Sequence, residues 1–384
     1  MTSAIARITA TPVNVPMVAP YRFAFGRLKS FTTTIIEVED TDGAVGLGES
    51  PHGDLSGSVE RLAERLVSRP VDDLNGLETL SLPGHGFSLW QDGATDRRSF
   101  GGIEIALFDL RARRQNRPLV DLLGGRVRNE VAFTEYFALR EGAEETPTQV
   151  IDYCVRMANE HGSPWFEGKL GVLDVETEMR MVADLVAGLG PGMVTRLDAN
   201  GAYTVATARQ VIPRLADQGI GWLEDPCRTL DEMAVLRADG VPISFSTHEV
   251  DFTRAARGGV PDGFCLDIAE LGGIRRTQDF LRACALIGTD FWCYSGDAGI
   301  MTAAYLHLTA SEPSVIRPHQ SLFRFTGDVA IEQGHYSPTA GLLKLPDGPG
   351  LGVTIDRSAL ARMHDRYLSE GSMGSGYGEG YRRW

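Results

Sequence analysis

Apolar and polar positions alternate in strand fashion from about residue 4 to residue 50. Ile5 to Val13 reads as one strand, and Phe31 to Glu39 as a second, dominated by β-branched side chains. Asp40-Thr41-Asp42-Gly43 is a turn signal, and Ala44 to Glu49 reads as a third strand. A helical period follows. From Phe100 to Gln115 it places Ile103, Ile105, Ala106, Leu107 and Leu110, with later breaks at Pro118 and Gly124-Gly125. Three strands followed by helices predict an α+β unit. Beyond about residue 126 the two periods alternate with each other. Strand-like runs fall near 131–137, 165–169, 194–198, 220–224, 242–247, 263–267, 291–294 and 314–317. The clearest helical stretches between them are Met179 to Ala187, Val205 to Leu215, Arg275 to Ile287 and Ile300 to Ser311. Eight strands at this spacing fit a β/α barrel better than an open doubly wound sheet. The tail from Gly371 to Trp384 is rich in Gly, Ser and Tyr and reads as a mobile end or a lid.

Composition narrows the partners. The chain is 43% hydrophobic and 23% charged, ordinary for a globular protein. No apolar run approaches the roughly 18 residues that span a membrane. The N-terminus lacks the basic-then-apolar pattern of a secretory signal, so a cytoplasmic protein is expected. A net charge of −14 argues against nucleic acid. It does not argue against an anionic small molecule, because a bound divalent cation inverts the local field. The five cysteines, Cys154, Cys227, Cys265, Cys284 and Cys293, are scattered and form no C-x-x-C pair. They read as reduced thiols, most of them in the core.

The chemistry begins at Lys169. The chain has only three lysines, Lys29, Lys169 and Lys344, and its other 34 basic side chains are arginine. Arginine cannot act as a base near neutral pH, whereas lysine can be tuned to do so. Lys169 ends the strand-like run Trp165 to Lys169. The runs Thr195 to Asp198 and Gly221 to Glu224 each end in a carboxylate, 29 and 26 residues further on. A base and two carboxylates at successive strand ends suit metal-assisted proton abstraction on a barrel. The plainer reading of each acid is a solvated residue or a salt-bridge partner.

Several motifs in order now carry a resemblance. Phe166-Glu167-Gly168-Lys169-Leu170-Gly171-Val172-Leu173, Leu197-Asp198-Ala199-Asn200-Gly201-Ala202, Glu224-Asp225-Pro226-Cys227 and Pro349-Gly350-Leu351-Gly352-Val353 with Ile355-Asp356 resemble the enolase superfamily. Within it they look like the glucarate dehydratase branch of acid-sugar dehydratases, in the mandelate racemase group. The likeness runs from about residue 5 to residue 368. It implies an α/β fold: a modified (β/α)7β TIM-type barrel over 126–335. An α+β capping domain would be formed by 1–125 and the C-terminal return 336–384. Cap loops matching Val18 to Gly26 and Gly48 to Gly53 would close over the barrel mouth and select substrate, with His52 among the substrate contacts.

The resemblance also assigns roles. Lys169 falls on the proton-abstracting lysine. Asp198 and Glu224 fall on two ligands of a Mg²⁺ ion, with Asn200 and Asp225 beside them as substrate-binding, second-layer or packing residues. The third ligand is expected at His248, with Glu249 and Ser246 as alternatives. An imidazole there would lower the site's negative charge and admit Mn²⁺, Fe²⁺ or Zn²⁺. Two departures stand out. Relatives carry a lysine two residues before the base; here Glu167 takes that place, expected to face substrate and to raise the pKa of Lys169. Relatives pair a sixth-strand aspartate with a seventh-strand histidine; here Asp267 is present, Tyr294 falls nearest the histidine position, and Asp297 lies just beyond it as an expected substrate contact. Asp267 without its partner is expected to reach substrate through Arg275 or to be a relic. Tyr294 would protonate a leaving hydroxide, and His319, near the eighth strand, would face the site. With no second base, proton chemistry is expected on one face of the α-carbon only.

The resulting expectation is a metal-dependent hydro-lyase that dehydrates a sugar acid (an aldonate or aldarate) in carbohydrate catabolism, as a homo-oligomer. The alternatives are an epimerase or cycloisomerase of the same superfamily, or a degenerate barrel that binds ligand without turnover.

Overall fold

The computed structural model describes residues 3–82, 93–294 and 296–374. Most of the tail expected as a mobile end or lid, 375–384, lies outside the described residues, as does Ser295 of the seventh-strand run. The N-terminal unit holds β1 (Ile5–Phe23), β2 (Gly26–Asp40), β3 (Val45–Ser50), α1 (Ser56–Leu66), α2 (Leu74–Ser81), α3 (Ala94–Arg114) and α4 (Leu119–Leu122). The alternating unit holds β4 (Glu130–Ala132), β5 (Glu135–Phe137), α5 (Pro147–His161), β6 (Phe166–Lys169), α6 (Val175–Leu189), β7 (Val194–Asp198), α7 (Val205–Asp217) and β8 (Trp222–Glu224). It continues through α8 (Leu230–Ala238), β9 (Ser244–Thr247), α9 (Phe252–Ala256), β10 (Gly263–Leu266), α10 (Ile268–Leu271), α11 (Ile274–Ile287), β11 (Asp290–Cys293) and α12 (Ile300–Ser311). The return segment adds β12 (Leu342–Lys344) and α13 (Arg357–Glu370).

The first two strands run further than their apolar alternation suggested. They form an antiparallel hairpin whose far end, Tyr21 to Arg27, reaches the barrel. Beside it β3 completes a three-stranded sheet. Helix α3 lies directly on β3. A Cβ at Gly46 would stand 2.0 Å from the carbonyl oxygen of Ala106, and one at Gly48 2.0 Å from that of Gly102. Only glycine allows this approach, which explains why α3 is buried on nearly all sides.

Strands β5 to β11 form one parallel sheet in chain order. It closes through a single extended passage rather than a full ladder. His319 N donates to Ala132 O at 2.8 Å, Thr134 N to His319 O at 2.8 Å, and Gln320 N to Cys293 O at 3.1 Å. The fold is the (β/α)7β barrel with an N-terminal cap. The eighth strand therefore lies around His319 and not at 314–317. That stretch is the turn leaving α12, and its Ile316 is 70% exposed. His319 is buried at this seam. Its Nδ1 accepts from Cys293 N at 2.8 Å and its ring meets Phe133 at 5.4 Å. Burial drives its pKa down to about 3, so it stays neutral. It closes the barrel and does not face substrate.

Inside the barrel, Arg196 and Glu167 form a buried ion pair at 2.5 Å, with side chains 3% and 0% exposed. Glu167 also accepts from Thr134 Oγ1 at 3.0 Å and Gln320 Nε2 at 3.2 Å. Its carboxylate is fully used, so the expectations that it meets substrate and raises the pKa of Lys169 are both corrected. No described helix is long and apolar enough to cross a membrane.

The cap is latched to the barrel by Glu49. Its buried carboxylate accepts from the N–H groups of Ala298 (2.6 Å), Ile300 (3.1 Å) and Met301 (3.0 Å), at the start of α12, and from Thr33 Oγ1 (2.8 Å). Asp297 caps the same helix through Gly299 N at 2.8 Å and Thr302 Oγ1 at 2.8–3.0 Å. Asp297 is thus a helix cap rather than a substrate contact. Burial, and then the Asp297 carboxylate, push the Glu49 pKa up to about 8. A carboxyl whose pKa is raised by folding stabilises fully below the ordinary carboxylate range, and that contribution is lost as pH rises through about 8. The Tm should therefore fall between about pH 5 and pH 9, and Glu49→Gln should flatten part of that slope. Parallel Tm–pH curves for the two proteins would remove Glu49 as the cause.

Candidate active site

Because β6, β7 and β8 pair in register, Lys169 sits opposite Asp198, and Asp198 opposite Glu224. All three therefore emerge at one end of the barrel. Lys169 Nζ forms an ion pair with Asp198 Oδ2. Burial works against the ammonium form, but Asp198 outweighs it and holds the pKa well above the usual lysine value. A cation that drew Asp198 away would remove this hold and bring Lys169 closer to acting as a base. Asp198 is wholly buried. It accepts from Asn200 N at 2.8 Å and from Asn200 Nδ2 at 3.0 Å. Asn200 thus orients Asp198.

His248 leaves the end of β9 and points at Glu224. Its Nε2 lies 2.9 Å from Glu224 Oε1, and its Nδ1 lies 2.7 Å from the Cys265 carbonyl oxygen. That carbonyl can only accept, so Nδ1 carries a proton and Nε2 of the neutral ring is a lone pair. Two acceptors at this distance require a cation. A proton is one solution: although burial opposes charge, Glu224 holds the His248 pKa up at about 10. A divalent ion is the other. Adjacent donors of an octahedral ion bound at about 2.1 Å stand about 3 Å apart, which is the spacing seen here. Glu224 and His248 thus fit a divalent ion, with Asp198 on the neighbouring strand. Ser246 Oγ reaches Glu224 Oε2 at 3.4 Å and supports that carboxylate. Glu249, next in the chain, is exposed, whereas His248 reaches Glu224.

Tyr294 follows β11, with its ring perpendicular to His248 at 5.6 Å. Burial raises its pKa far above the ordinary phenol value, so its hydroxyl stays protonated and does not serve as a base. Asp267 stands beside it on the neighbouring strand and is not partnerless: His52 Nε2 from the cap lies 2.7 Å from its Oδ2. Asp267 Oδ1 accepts from Glu270 N at 2.7 Å. Burial favours the neutral acid, but His52 and the other donors outweigh it and keep Asp267 below its usual pKa. Arg275 points elsewhere, to Asn75 Oδ1 at 2.5 Å. The expected link from Asp267 through Arg275 is therefore replaced by a contact with His52.

Three further residues surround Lys169 and Glu224. Tyr136 presents its ring to Lys169 Nζ at 5.9 Å, and Tyr21 from the cap hairpin packs edge-on against Tyr136. Cys265 turns to the barrel axis, while its neighbours Phe264 and Leu266 pack outward against Phe280 and Leu281. Alternation along the run 263–267 carried that last signal.

Family models agree with this geometry. The mandelate racemase/muconate lactonizing enzyme N-terminal domain matches residues 5–124, and the enolase C-terminal domain-like model matches 149–359. A probable glucarate dehydratase of Streptomyces coelicolor is 30% identical over 372 residues, covering 88% of this chain and 85% of its own. The D-galactarolactone cycloisomerase of Agrobacterium fabrum is 28% identical over 369 residues, covering 90% and 95%. An enolase of Pseudomonas fluorescens, crystallised with magnesium, potassium and tartrate, superposes with a TM-score of 0.87 at 26% identity, covering 97% and 94%. Cap, barrel and strand-end residues together make this chain a member of the enolase superfamily, with a cap of the mandelate racemase/muconate lactonizing type.

Proposed function

We propose that the protein is a divalent-metal-dependent hydro-lyase acting on a polyhydroxy acid. One observation carries the reading: Lys169, the Glu224–His248 contact and Asp267 stand at successive strand ends on one end of the barrel, and His52 of the cap reaches Asp267. Lys169 accepts the α-proton at Nζ, and the C–H electron pair moves into the substrate carboxylate as an enediolate. Asp198, Glu224 and His248 would hold the ion, which when bound offsets the negative charge on those oxygens. Collapse of the enediolate breaks the β-C–O bond. His52, buttressed by Asp267, gives its proton to the departing hydroxyl, and water leaves. The enol product becomes a 2-keto-3-deoxy acid. The likeness to a probable glucarate dehydratase supports this class.

The test is a screen of aldonic and aldaric acids, and their lactones, for 2-keto-3-deoxy product. No ketoacid from any acid, together with ring-opened product from a lactone, would favour a cycloisomerase. The Asp267–His52 pair also supports a second reading, epimerisation by two acid/base groups, and recovery of the α-epimer would establish it. His52→Asn should lower dehydration about 10²-fold with KM little changed and α-proton exchange in deuterated water retained. Asp267→Asn should do nearly the same, and the double variant no worse, because the two act as a unit. Equal loss of exchange and dehydration would place His52 in substrate binding instead.

A further inference from the structure

Cys265 does more than fill space. A Glu224 carboxylate oxygen, an imidazole nitrogen of His248 and the Cys265 thiol lie within 4.8 Å of one another. They come from β8, the end of β9 and β10, three consecutive strands. Asp198, the remaining ligand on β7, stands apart from this cluster and is engaged by Lys169 and Asn200. Glu224 Oε1 is fully buried and accepts no hydrogen bond, and its near neighbour is His248 Nε2 at 2.9 Å. The His248 ring is anchored on the carbonyl of Cys265 itself, so imidazole and thiol are fixed to one peptide unit. Such outer hydrogen bonds are what orient a ligating histidine.

The donor set is chemically selective. Magnesium takes oxygen ligands and gains little from sulfur. Zinc, cobalt and ferrous iron accept carboxylate, imidazole and thiolate together, and thiolate raises their affinity relative to hard ions. We propose that Cys265 is a sulfur donor to the active-site metal and that Glu224, His248 and Cys265 select a borderline divalent ion over magnesium. Binding forms a metal–sulfur bond and releases the thiol proton, together with the proton held between His248 and Glu224, to the buffer. The inference rests on the functional reading only in taking the metal site as part of the active centre.

Cobalt(II) is the probe, titrated anaerobically into chelator-stripped protein and followed by absorption. One equivalent should produce a near-ultraviolet thiolate-to-cobalt charge-transfer band. Cys265→Ser should lose that band, keep visible cobalt bands from the remaining ligands, and bind at least about tenfold more weakly. Magnesium in excess on the order of a thousandfold should not displace cobalt from the unaltered protein. Cys265→Ala, with circular dichroism on both variants, separates loss of the donor from misfolding. The inference falls if cobalt gives no sulfur band, if the band survives in Cys265→Ser, or if equimolar magnesium displaces cobalt. Ketoacid formed with magnesium and no sulfur band would overturn this inference and leave the dehydratase reading standing. A sulfur band with no ketoacid from any acid would do the reverse.

Discussion

Lys169→Met should abolish exchange of the substrate α-proton with deuterated water, with a fall of about 10⁴-fold. Methionine approximates the length of the lysine and packs against the Tyr136 ring in its place, so the fold should survive. Cobalt binding should persist, because Glu224, His248 and Cys265 are untouched. The change removes only the nitrogen that accepts the proton. Dehydration should fall in parallel, since proton removal precedes loss of the hydroxyl. This pattern differs from that of His52→Asn, where exchange continues and water loss slows. Undiminished exchange in Lys169→Met would mean that another group abstracts the proton, and His52 would be the first to test.

Arg196→Met should cost about 3–5 kcal/mol of stability, because it strands Glu167 as an unpaired carboxylate inside the barrel. Arg196 also donates to Pro318 O at 2.8 Å and lies over the Trp292 ring at 4.2 Å, so its removal loosens the seam beside β11 as well. The double variant Arg196→Met/Glu167→Gln should recover a large part of the loss, since no buried charge remains. Urea unfolding measures both. A loss below about 1 kcal/mol in the single variant would show that water reaches Glu167 and screens it.

The barrel was legible because strand runs and helical runs alternate with regular spacing, and each functional strand ends in a residue of distinctive chemistry. Lys169, Asp198 and Glu224 needed only that register. Glu167 could not be placed from its neighbours in the chain. Its partner Arg196 lies 29 residues away, and the pairing of β6 with β7 brings them together. The same holds for His52 and Asp267, which lie on different domains. Asp297 was misread because a carboxylate just past a strand end also suits a helix start, and only Glu49 and Thr302 reveal which role it has. The eighth strand escaped because it pairs through isolated bridges, too short to impose an alternating pattern.

Helix α13 packs on β1 from the opposite end of the chain. Asn14 Nδ2 donates to Glu370 Oε2 at 3.2 Å and Gly371 O at 3.0 Å, and Arg366 reaches Asn14 O at 3.0 Å. Thr32 N and Met373 O meet at 2.9 Å. On the ribosome, the face of β1 that α13 covers is therefore made long before the helix that covers it. Through more than three hundred residues of elongation it carries an uncovered face, which in a crowded cell is an invitation to chaperones or to aggregation. The barrel can close on its own strands in that interval. The part of the cap that rests on α13 thus depends on a segment made after every strand of the barrel.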